Sequence, residues 1–163
     1  SCKEAFFMAD INIEYINPFL ASASRILKDM CQIETKVGKP YVKASEFGGD
    51  TIIIMIGITG EFRGQVLIAF DNSVALDIAS KMMMMPVSEM NEIATSAISE
   101  MGNMILGNAA TILSTKGVGI DITPPTICRG TVSFTTTYAK NICVPLTYGD
   151  NMCIEIDIAL KVE

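Results

Sequence analysis

Apolar residues recur every three to four positions along three segments of the chain, which is the spacing of an amphipathic helix. The first segment runs from Ile11 to Cys31, and Pro18 fits most easily into the first turn of this helix. The second covers residues 73–84, and Met82–Met85 at its end are interpreted as packing residues rather than a soft-metal or peptide surface. The third is the longest, from Ser88 to Ser114. The pattern predicts three helices.

The remaining segments alternate between apolar and polar residues or are rich in β-branched residues, as is typical of antiparallel strands. Thr51–Thr59 and Phe62–Phe70 flank Gly60 and predict a hairpin. The other segments with strand character are 32–43, 118–123, 131–136, 141–147 and 152–161. The chain is therefore expected to combine helices with a mainly antiparallel sheet.

The two halves of the chain repeat one order of elements, which is a long helix, a turn containing proline, and a hairpin around glycine. Thr51 to Phe70 match Asn141 to Leu160, and the helix over 73–84 has no counterpart. We interpret this as an internal duplication with one inserted helix; chance similarity of two helix-then-strand blocks is the alternative. Because no linker separates the halves, we expect one α+β domain over residues 10–163, with a long central helix packed on a sheet. Residues 1–9, with a natural start at Met8, are expected to form a leader, native or foreign, outside this domain.

Charge and composition narrow the classes of function. Eighteen acidic residues against twelve basic ones give a net charge of −6, which disfavours nucleic acid as a partner. The chain has no histidine, so histidine-dependent triads and most catalytic zinc sites are excluded. Its five cysteines include no Cys-x-x-Cys pair and are typical of reduced thiols. No apolar run reaches the roughly 18 residues that a membrane span needs, so we expect a cytoplasmic protein. Because histidine is missing, we expect any chemistry to use carboxylates, amides or hydroxyls.

The central helix is predicted to have a broad apolar face and a narrow polar stripe. The residues placed on the apolar face are Ile93, Ala97, Ile98, Met101, Met104, Ile105, Ala109, Ile112 and Leu113. Ser96, Glu100, Asn103 and Gly107 share an arc of roughly 60°, because residues three and four apart stack on one side of a helix. The stripe contains no Lys or Arg and has small residues, which favours a docking surface. A plain solvated helix face is the alternative, since the spacing alone is common.

The sequence around this stripe resembles a known signature. Ser96-Ala-Ile-Ser-Glu100-Met-Gly-Asn103 resembles the Asp/Ser-x-x-x-Glu-x-x-Asn motif of the CheC/CheX phosphatase family, in which a proline follows about twenty residues later. Three further segments look like CheX segments, and together the resemblance covers Asp10 to the C-terminus. These three segments are Gly57-Ile58-Thr59-Gly60, Met82–Met85 and Gly38-Lys39-Pro40. The proline of the signature is supplied by Ile122-Thr123-Pro124-Pro125-Thr126, which follows at the expected distance.

The resemblance implies a phosphatase that hydrolyses the aspartyl phosphate of a CheY-like receiver domain. Asn103 would orient the attacking water, and Glu100 would pair with the active-site lysine of the receiver. The resemblance further implies that Mg²⁺ is held by the receiver, that this chain binds no cofactor, and that two protomers join through an edge strand into a homodimer. The residues expected to complete the partner-binding surface are Ser96, Gly107, Pro124 and Pro125.

Other functions stay open at this point. A non-catalytic CheC-like module that only binds a receiver or another partner would keep the fold, but it would have no chemical need for the amide of Asn103. A flagellar-switch structural domain would be expected to carry additional motor-binding segments. An enzyme acting on small phosphate esters is disfavoured, since neither a Gly-rich phosphate loop nor a metal-ligand cluster is visible in the sequence.

A duplication would also leave a second copy of the motif in the first helix. Asp10-x-x-x-Glu14-x-x-Asn17, with Pro40 downstream, has the required spacing. However, Pro18 directly after Asn17 disfavours a helical conformation of Asn17. Glu14 and Asn17 are therefore not expected to share a helical face, and the favoured interpretation is that they simply begin the helix.

Overall fold

A computed structural model describes residues 13–43, 46–133 and 141–162. Within these residues it contains the helices α1 (Ile13–Cys31), α2 (Asn72–Met83) and α3 (Glu92–Thr115). The strands are β1 (Lys36–Val37), β2 (Tyr41–Lys43), β3 (Glu46–Phe47), β4 (Thr51–Gly60), β5 (Phe62–Asp71), β6 (Ile120–Ile122), β7 (Thr126–Arg129), β8 (Val132–Ser133), β9 (Asn141–Tyr148) and β10 (Met152–Val162). The predicted α+β class is confirmed, whereas the leader predicted for residues 1–9 lies outside the described residues.

The sheet is antiparallel, and its strands follow the order β1-β9-β10-β5-β4-β6. The hairpins β4-β5 and β9-β10 occupy its centre, and β10 pairs with β5 between them. The edge strands cross over between the halves: β1 and β2 pair with β9, whereas β6 and β7 pair with β4. This near-twofold arrangement is the one that an internal duplication predicts, and α2 is the element without a counterpart.

The three helices share one face of the sheet and bury the main core against it. Apolar residues of α1, α2 and α3 join those of the two central hairpins in one cluster. Within α3, a Cβ atom on Gly102 would lie 2.8 Å from Cγ2 of Ile54, so only glycine lets the helix approach β4 this closely. A smaller cluster around Ile53 and Leu67 lies on the opposite face. No helix of the described residues is long and apolar enough to span a membrane.

Side-chain caps set the start of α2 and α3. The carboxylate of Asp71 accepts a hydrogen bond from the N–H of Val74 at 3.0 Å, and the amide oxygen of Asn91 accepts one from the N–H of Ala94 at 2.9 Å. Both bonds satisfy an N–H group that has no partner inside its helix. Because the cap of α3 is Asn91, this helix begins at Glu92 rather than at Ser88 as predicted.

The prediction that Pro18 lies in the first turn of its helix is wrong. Pro18 is inside α1, which begins at Ile13, and its ring is buried in the core. A proline at this position removes the hydrogen bond to the carbonyl of Glu14. Burial of the apolar face of α1 offsets that cost, so Asn17 keeps a helical conformation despite the following proline.

One residue predicted to be buried on α3 is exposed, and the predicted packing of Met82–Met85 is confirmed for Met82 but not for Met84 and Met85. Ile93 is 66% exposed, because it lies in the first turn of α3 and outside the buried face that is centred on Ile98, Met101 and Ile105. At the end of α2, Met82 packs against the core, whereas Met84 and Met85 are exposed. The chain leaves the helix there, since Met84 has a left-handed conformation with φ of 56° and its N–H donates to the carbonyl of Ser80.

Candidate functional site

An open groove of about 430 Å³ lies between α3 and the segment that joins β6 to β7. One side of the groove is formed by a single face of the helix, and the other side contains the two consecutive prolines. The residues that line it are Ser96, Ser99, Glu100, Asn103, Ile122, Thr123, Pro124 and Pro125. The structure therefore brings together the two parts of the sequence signature, which are about twenty residues apart in the chain.

The helical side of the groove is oriented by the residues between Glu100 and Asn103. Met101 and Gly102 are buried, and Gly102 packs against Ile54 of β4. This contact fixes the rotation of α3, so that Glu100 and Asn103 lie on the side away from the sheet, one turn apart. Glu100 is exposed, whereas Asn103 is half-buried. The carboxylate is thus the more accessible group, and the amide lies deeper in the groove.

The opposite side of the groove is a bulge in the edge of the sheet, which we call the proline wall (residues 122–125). Ile122 lies opposite Ile58 and Thr126 lies opposite Met55, so three residues of the wall face only two residues of β4. Such an insertion displaces the extra residue from the strand ladder. Proline suits this place, because it has no N–H to contribute to a ladder. The bulge carries Pro124 and Pro125 to the border of the groove.

The proline wall is connected to the sheet by Thr123. The N–H of Thr123 donates to the carbonyl of Gly57 at 3.0 Å. In return, the N–H of Gly57 donates to the side-chain oxygen of Thr123 at 2.8 Å. The Thr123 hydroxyl is also 3.3 Å from the carbonyl of Pro124, to which it can donate. A side chain therefore replaces a backbone acceptor within the bulge.

The end of the wall is connected to the beginning of α3 by Arg129 of β7. Its Nη2 atom donates to the carbonyl of Met90 at 2.8 Å and to the hydroxyl oxygen of Thr95 at 2.6 Å. Thr95 directly precedes the groove residue Ser96. Arg129 thus joins the two sides of the groove at one end, a role that the sequence analysis did not identify.

The charge of the groove limits the chemistry that it can perform. Glu100 is the one ionisable residue among the eight that line it; the others are apolar or neutral polar groups. A bare phosphate group would find no cation there and would be repelled by the carboxylate. The groove is therefore suited to a partner that brings its own cationic group, and its neutral amide can contact an anion or a water molecule.

Five of the six predicted site residues line the groove. They are Ser96, Glu100, Asn103, Pro124 and Pro125, whereas Gly107 is half-buried one turn beyond Asn103 and is not part of the lining. Ser99, Ile122 and Thr123 were missed. Ser99 could have been found from the sequence because it is four residues before Asn103 on the same helix. Thr123 gave no such signal, because its role depends on the register of the bulge.

The sequence showed no metal-ligand cluster, but the structure brings three ligand-type side chains together elsewhere. The ligand atoms of Cys143, Glu155 and Asp157 lie within 4.8 Å of one another, on β9 and β10. The hydroxyl of Tyr41 donates a short hydrogen bond to Glu155, and all four residues make further interactions. Burial, together with this bond, raises the pKa of Tyr41. We assign the cluster to the packing of β2 on the β9-β10 hairpin.

The counterpart motif on α1 differs from its prediction. Glu14 and Asn17 are both helical and both exposed, so they do share a helical face. The prediction that Glu14 and Asn17 do not share a helical face is therefore wrong. The environments of the two asparagines nevertheless differ, since Asn17 is exposed and Asn103 is half-buried within a groove.

Comparison with known proteins identifies a family for this chain. Residues 52–147, more than half of the chain, match the model of the family described as chemotaxis phosphatase CheX. The chain is 36% identical over 116 residues to the CheY-P phosphatase CheX of Thermotoga maritima, an alignment that covers 71% of this chain and 75% of that protein.

Solved structures with the same fold agree with this assignment. The chemotaxis protein CheX from Vibrio vulnificus superposes with a TM-score of 0.81 at 30% identity, covering 91% of this chain and 99% of the other. CheX in the CheX-CheY-BeF3-Mg²⁺ complex from Borrelia burgdorferi superposes with a TM-score of 0.79 at 32% identity, covering 92% and 99%. From the family match and the extent of this identity, we conclude that the chain belongs to the CheX family of chemotaxis phosphatases.

Proposed function

We propose that this protein hydrolyses the aspartyl phosphate of a CheY-like receiver domain, with Asn103 orienting the attacking water and Glu100 docking on the active-site lysine of the receiver. The observation that carries the proposal is the pairing of a half-buried amide with an exposed carboxylate in a groove whose other lining residues are uncharged. The relative from Thermotoga maritima is a CheY-P phosphatase, and that from Borrelia burgdorferi was solved in complex with CheY, BeF3 and Mg²⁺. Both support CheY-like receivers as the substrate class.

Asn103 has the chemistry that hydrolysis of an acyl phosphate requires. The leaving carboxylate is stable, so the reaction depends on holding a water molecule in line with phosphorus more than on a strong base. A carboxamide accepts one hydrogen bond from that water and donates another, and it carries no charge that would repel the phosphoryl group. The location of Asn103 on a helix, which packs closely on the sheet through Gly102, gives this amide a rigid support.

Glu100 is assigned to docking rather than to proton transfer. Its carboxylate would repel a phosphoryl group at short range, and it is exposed where a partner can reach it. A lysine at the active site of a receiver provides the opposite charge. The ion pair would set the register of the complex, and Asn103, one helical turn away, would then enter the active site of the receiver.

The other groove residues complete the docking surface in this proposal. Ser96 adds a hydroxyl on the same face of α3, while Pro124 and Pro125 form a rigid border opposite Glu100 and Asn103. Gly107 lies beyond the groove lining and contributes close approach rather than a contact of its own side chain. The surface is therefore small, rigid and nearly uncharged, which favours recognition by shape and by one ion pair.

The metal ion and the assembly follow from the same proposal. Mg²⁺ binds to the acidic residues of the receiver, so this chain needs no cofactor of its own. In this proposal two protomers join into a homodimer through an edge strand of the sheet. The proposed place of action is the cytoplasm, where chemotaxis receivers are phosphorylated.

A measurement of phosphate release tests this function against a module that only binds. A CheY-type receiver is phosphorylated in the presence of Mg²⁺, and release is followed with and without the protein, while binding is measured separately to the BeF3-activated receiver. We expect faster release together with binding, and weaker binding for Glu100→Ala. Binding without any acceleration, for each of several receivers, would replace the phosphatase by the binding module.

A further inference from the structure

We propose that Thr123 is a positioning residue of this phosphatase, whose hydroxyl holds the proline wall at a fixed distance from Glu100 and Asn103. The inference rests on the proposed function and deepens it, because it assigns a role to a residue whose hydrogen bonds are made with Gly57 and Pro124. Its basis is the hydrogen-bond pattern of the bulge rather than the sequence signature.

The first observation is that the Thr123 hydroxyl fills a gap in the strand ladder. The paired residues stop at Ile58 opposite Ile122 and resume at Met55 opposite Thr126. Gly57 lies in this gap, and its N–H donates to the side chain of Thr123 at 2.8 Å instead of to a backbone carbonyl. Together with the bond from the N–H of Thr123 to the carbonyl of Gly57, this makes a two-bond latch between the wall and β4.

The second observation is that the latch has little free space. A Cβ atom on Gly57 would lie 3.1 Å from Cγ2 and 3.3 Å from Oγ1 of Thr123. The absence of a side chain at Gly57 thus lets Thr123 lie directly against the strand. Because Thr123 also lines the groove, any change in this contact moves the wall relative to α3.

The third observation comes from the corresponding bulge of the first half, which has the same register. Val37 lies opposite Leu146 and Tyr41 lies opposite Cys143, so three residues again face two. The position of Thr123 is taken there by Gly38, and the position of Gly57 is taken by Pro145.

One bond of the latch is retained in the first half, since the N–H of Gly38 donates to the carbonyl of Pro145 at 2.7 Å. The other bond is chemically impossible there, because glycine has no hydroxyl and proline has no N–H. The bulge therefore forms without a side-chain bond. A bulge of this register does not need the Thr123 hydroxyl to form. The bond from Gly57 to this hydroxyl is present beside the groove, and the stability of the bulge alone does not explain it.

The consequence is a specific effect on docking. Without the hydroxyl, water can satisfy the N–H of Gly57, and the wall loses its fixed distance from the helix. Thr123→Val, which keeps the shape and removes the hydroxyl, should raise KM for the phosphorylated receiver about threefold to tenfold, as expected for loss of one hydrogen bond. The maximal rate should change little, because the helix that carries Asn103 is not altered.

The test compares four proteins in steady-state phosphate release and in binding to the BeF3-activated receiver. Thr123→Val is the test variant, and Thr123→Ser, which keeps the hydroxyl, should restore the wild-type KM. Thr126→Val is the matched control, since Thr126 is an exposed threonine at the other end of the same bulge. Amide hydrogen exchange at Gly57 reports the latch directly and should be faster only in Thr123→Val.

The outcomes separate the inference from the function on which it rests. The positioning role of Thr123 is wrong if Thr123→Val has the wild-type KM. It is also wrong if Thr126→Val or Thr123→Ser raises KM as much as Thr123→Val does. Neither result contradicts the proposed phosphatase activity. A lower maximal rate with unchanged KM would indicate a loss of folded protein and would also overturn the positioning role. If the wild-type protein neither binds nor dephosphorylates any receiver, the proposed function is wrong and the positioning role is wrong with it.

Discussion

The two halves of the molecule contain the same two elements. These are a helix with a Glu-x-x-Asn motif and a bulged edge segment that contains a proline. In the first half, Glu14 and Asn17 are exposed on α1, and Gly38 faces Pro145 across the bulge. In the second half, Asn103 is half-buried in a groove, and Thr123 is hydrogen-bonded to Gly57. The two halves thus have the same backbone register at the bulge and differ in a few side chains, and these side chains carry the proposed difference in function.

The substitution with the largest expected effect replaces the amide of Asn103, in the second half of the molecule. Asn103→Asp keeps the size of the side chain and introduces a negative charge beside the phosphoryl group. We expect the acceleration of phosphate release to fall by about 100-fold or more, because a misplaced or repelled water no longer attacks in line. The measurement is the rate of release at saturating receiver. A variant that keeps more than half of the wild-type acceleration would contradict the role of Asn103.

Neutralising the docking carboxylate should have the next largest effect. Glu100→Gln keeps the hydrogen-bonding shape and removes the ion pair with the receiver lysine, so KM should rise about tenfold or more with a smaller change in maximal rate. The wild-type KM should also rise with salt concentration, and that dependence should weaken in the variant. Glu14→Gln in the first half is the matched control and should leave KM unchanged. An equal effect of both substitutions would show that the halves do not differ in docking.

The inserted helix α2 offers a test that separates the fold from the site. The hydroxyl of Tyr148 donates to Asp77 at 2.7 Å, and Nζ of Lys81 donates to the same carboxylate oxygen at 2.7 Å. Tyr148→Phe should lower the free energy of unfolding by about 1 kcal/mol, measured by urea denaturation, and should leave phosphate release unchanged. A loss of activity larger than the loss of folded protein would connect α2 to the groove.

The same pair predicts a dependence of stability on pH. Burial alone would raise the pKa of Asp77, but the hydrogen bonds from Lys81 and Tyr148 outweigh it and the pKa is lowered. A lowered pKa in the folded state means that the contribution to stability is present near neutral pH and is lost as the pH falls below about 4. Tyr148→Phe should therefore reduce this acid-sensitive part of the stability.

The smallest effect is expected for the counterpart asparagine. Asn17→Ala should change neither KM nor the maximal rate, since Asn17 is exposed on α1 and the latch found beside Asn103 has no chemical equivalent at Gly38 and Pro145. The measurement is again steady-state phosphate release. A reduction to about half of the maximal rate would indicate that both halves are active.

The parts of the fold that were predictable are those in which a local pattern decides the structure. The β-branched-rich runs Thr51–Thr59 and Phe62–Phe70 on either side of Gly60 predicted the hairpin of β4 and β5, and helical spacing predicted the three helices. Pro18 was placed in the first turn because a proline inside a helix costs a hydrogen bond, a cost that packing of α1 on the core offsets. Ile93 was misplaced because its exposure depends on neighbouring elements. A helical wheel gives the direction of a side chain, but it does not show whether another element covers it.

The same distinction applies to the site. Glu100 and Asn103 could be selected from their spacing and from the resemblance to a family signature, because both lie on one helix. Thr123 and Arg129 could not be selected, because their contacts with Gly57 and Thr95 join segments far apart in the sequence. The register of the bulge, with three residues facing two, becomes visible only when β6 and β7 are both paired with β4.

A single-turnover experiment shows whether the amide of Asn103 acts in a step that follows docking. The phosphorylated receiver is mixed with saturating wild-type protein, Asn103→Ala or Asn17→Ala, and phosphate release is followed. We predict that Asn17→Ala matches the wild type, whereas Asn103→Ala still binds the BeF3-activated receiver and releases phosphate at the rate of the receiver alone. Release at the wild-type rate by saturating Asn103→Ala would show that the amide of Asn103 does not act in hydrolysis.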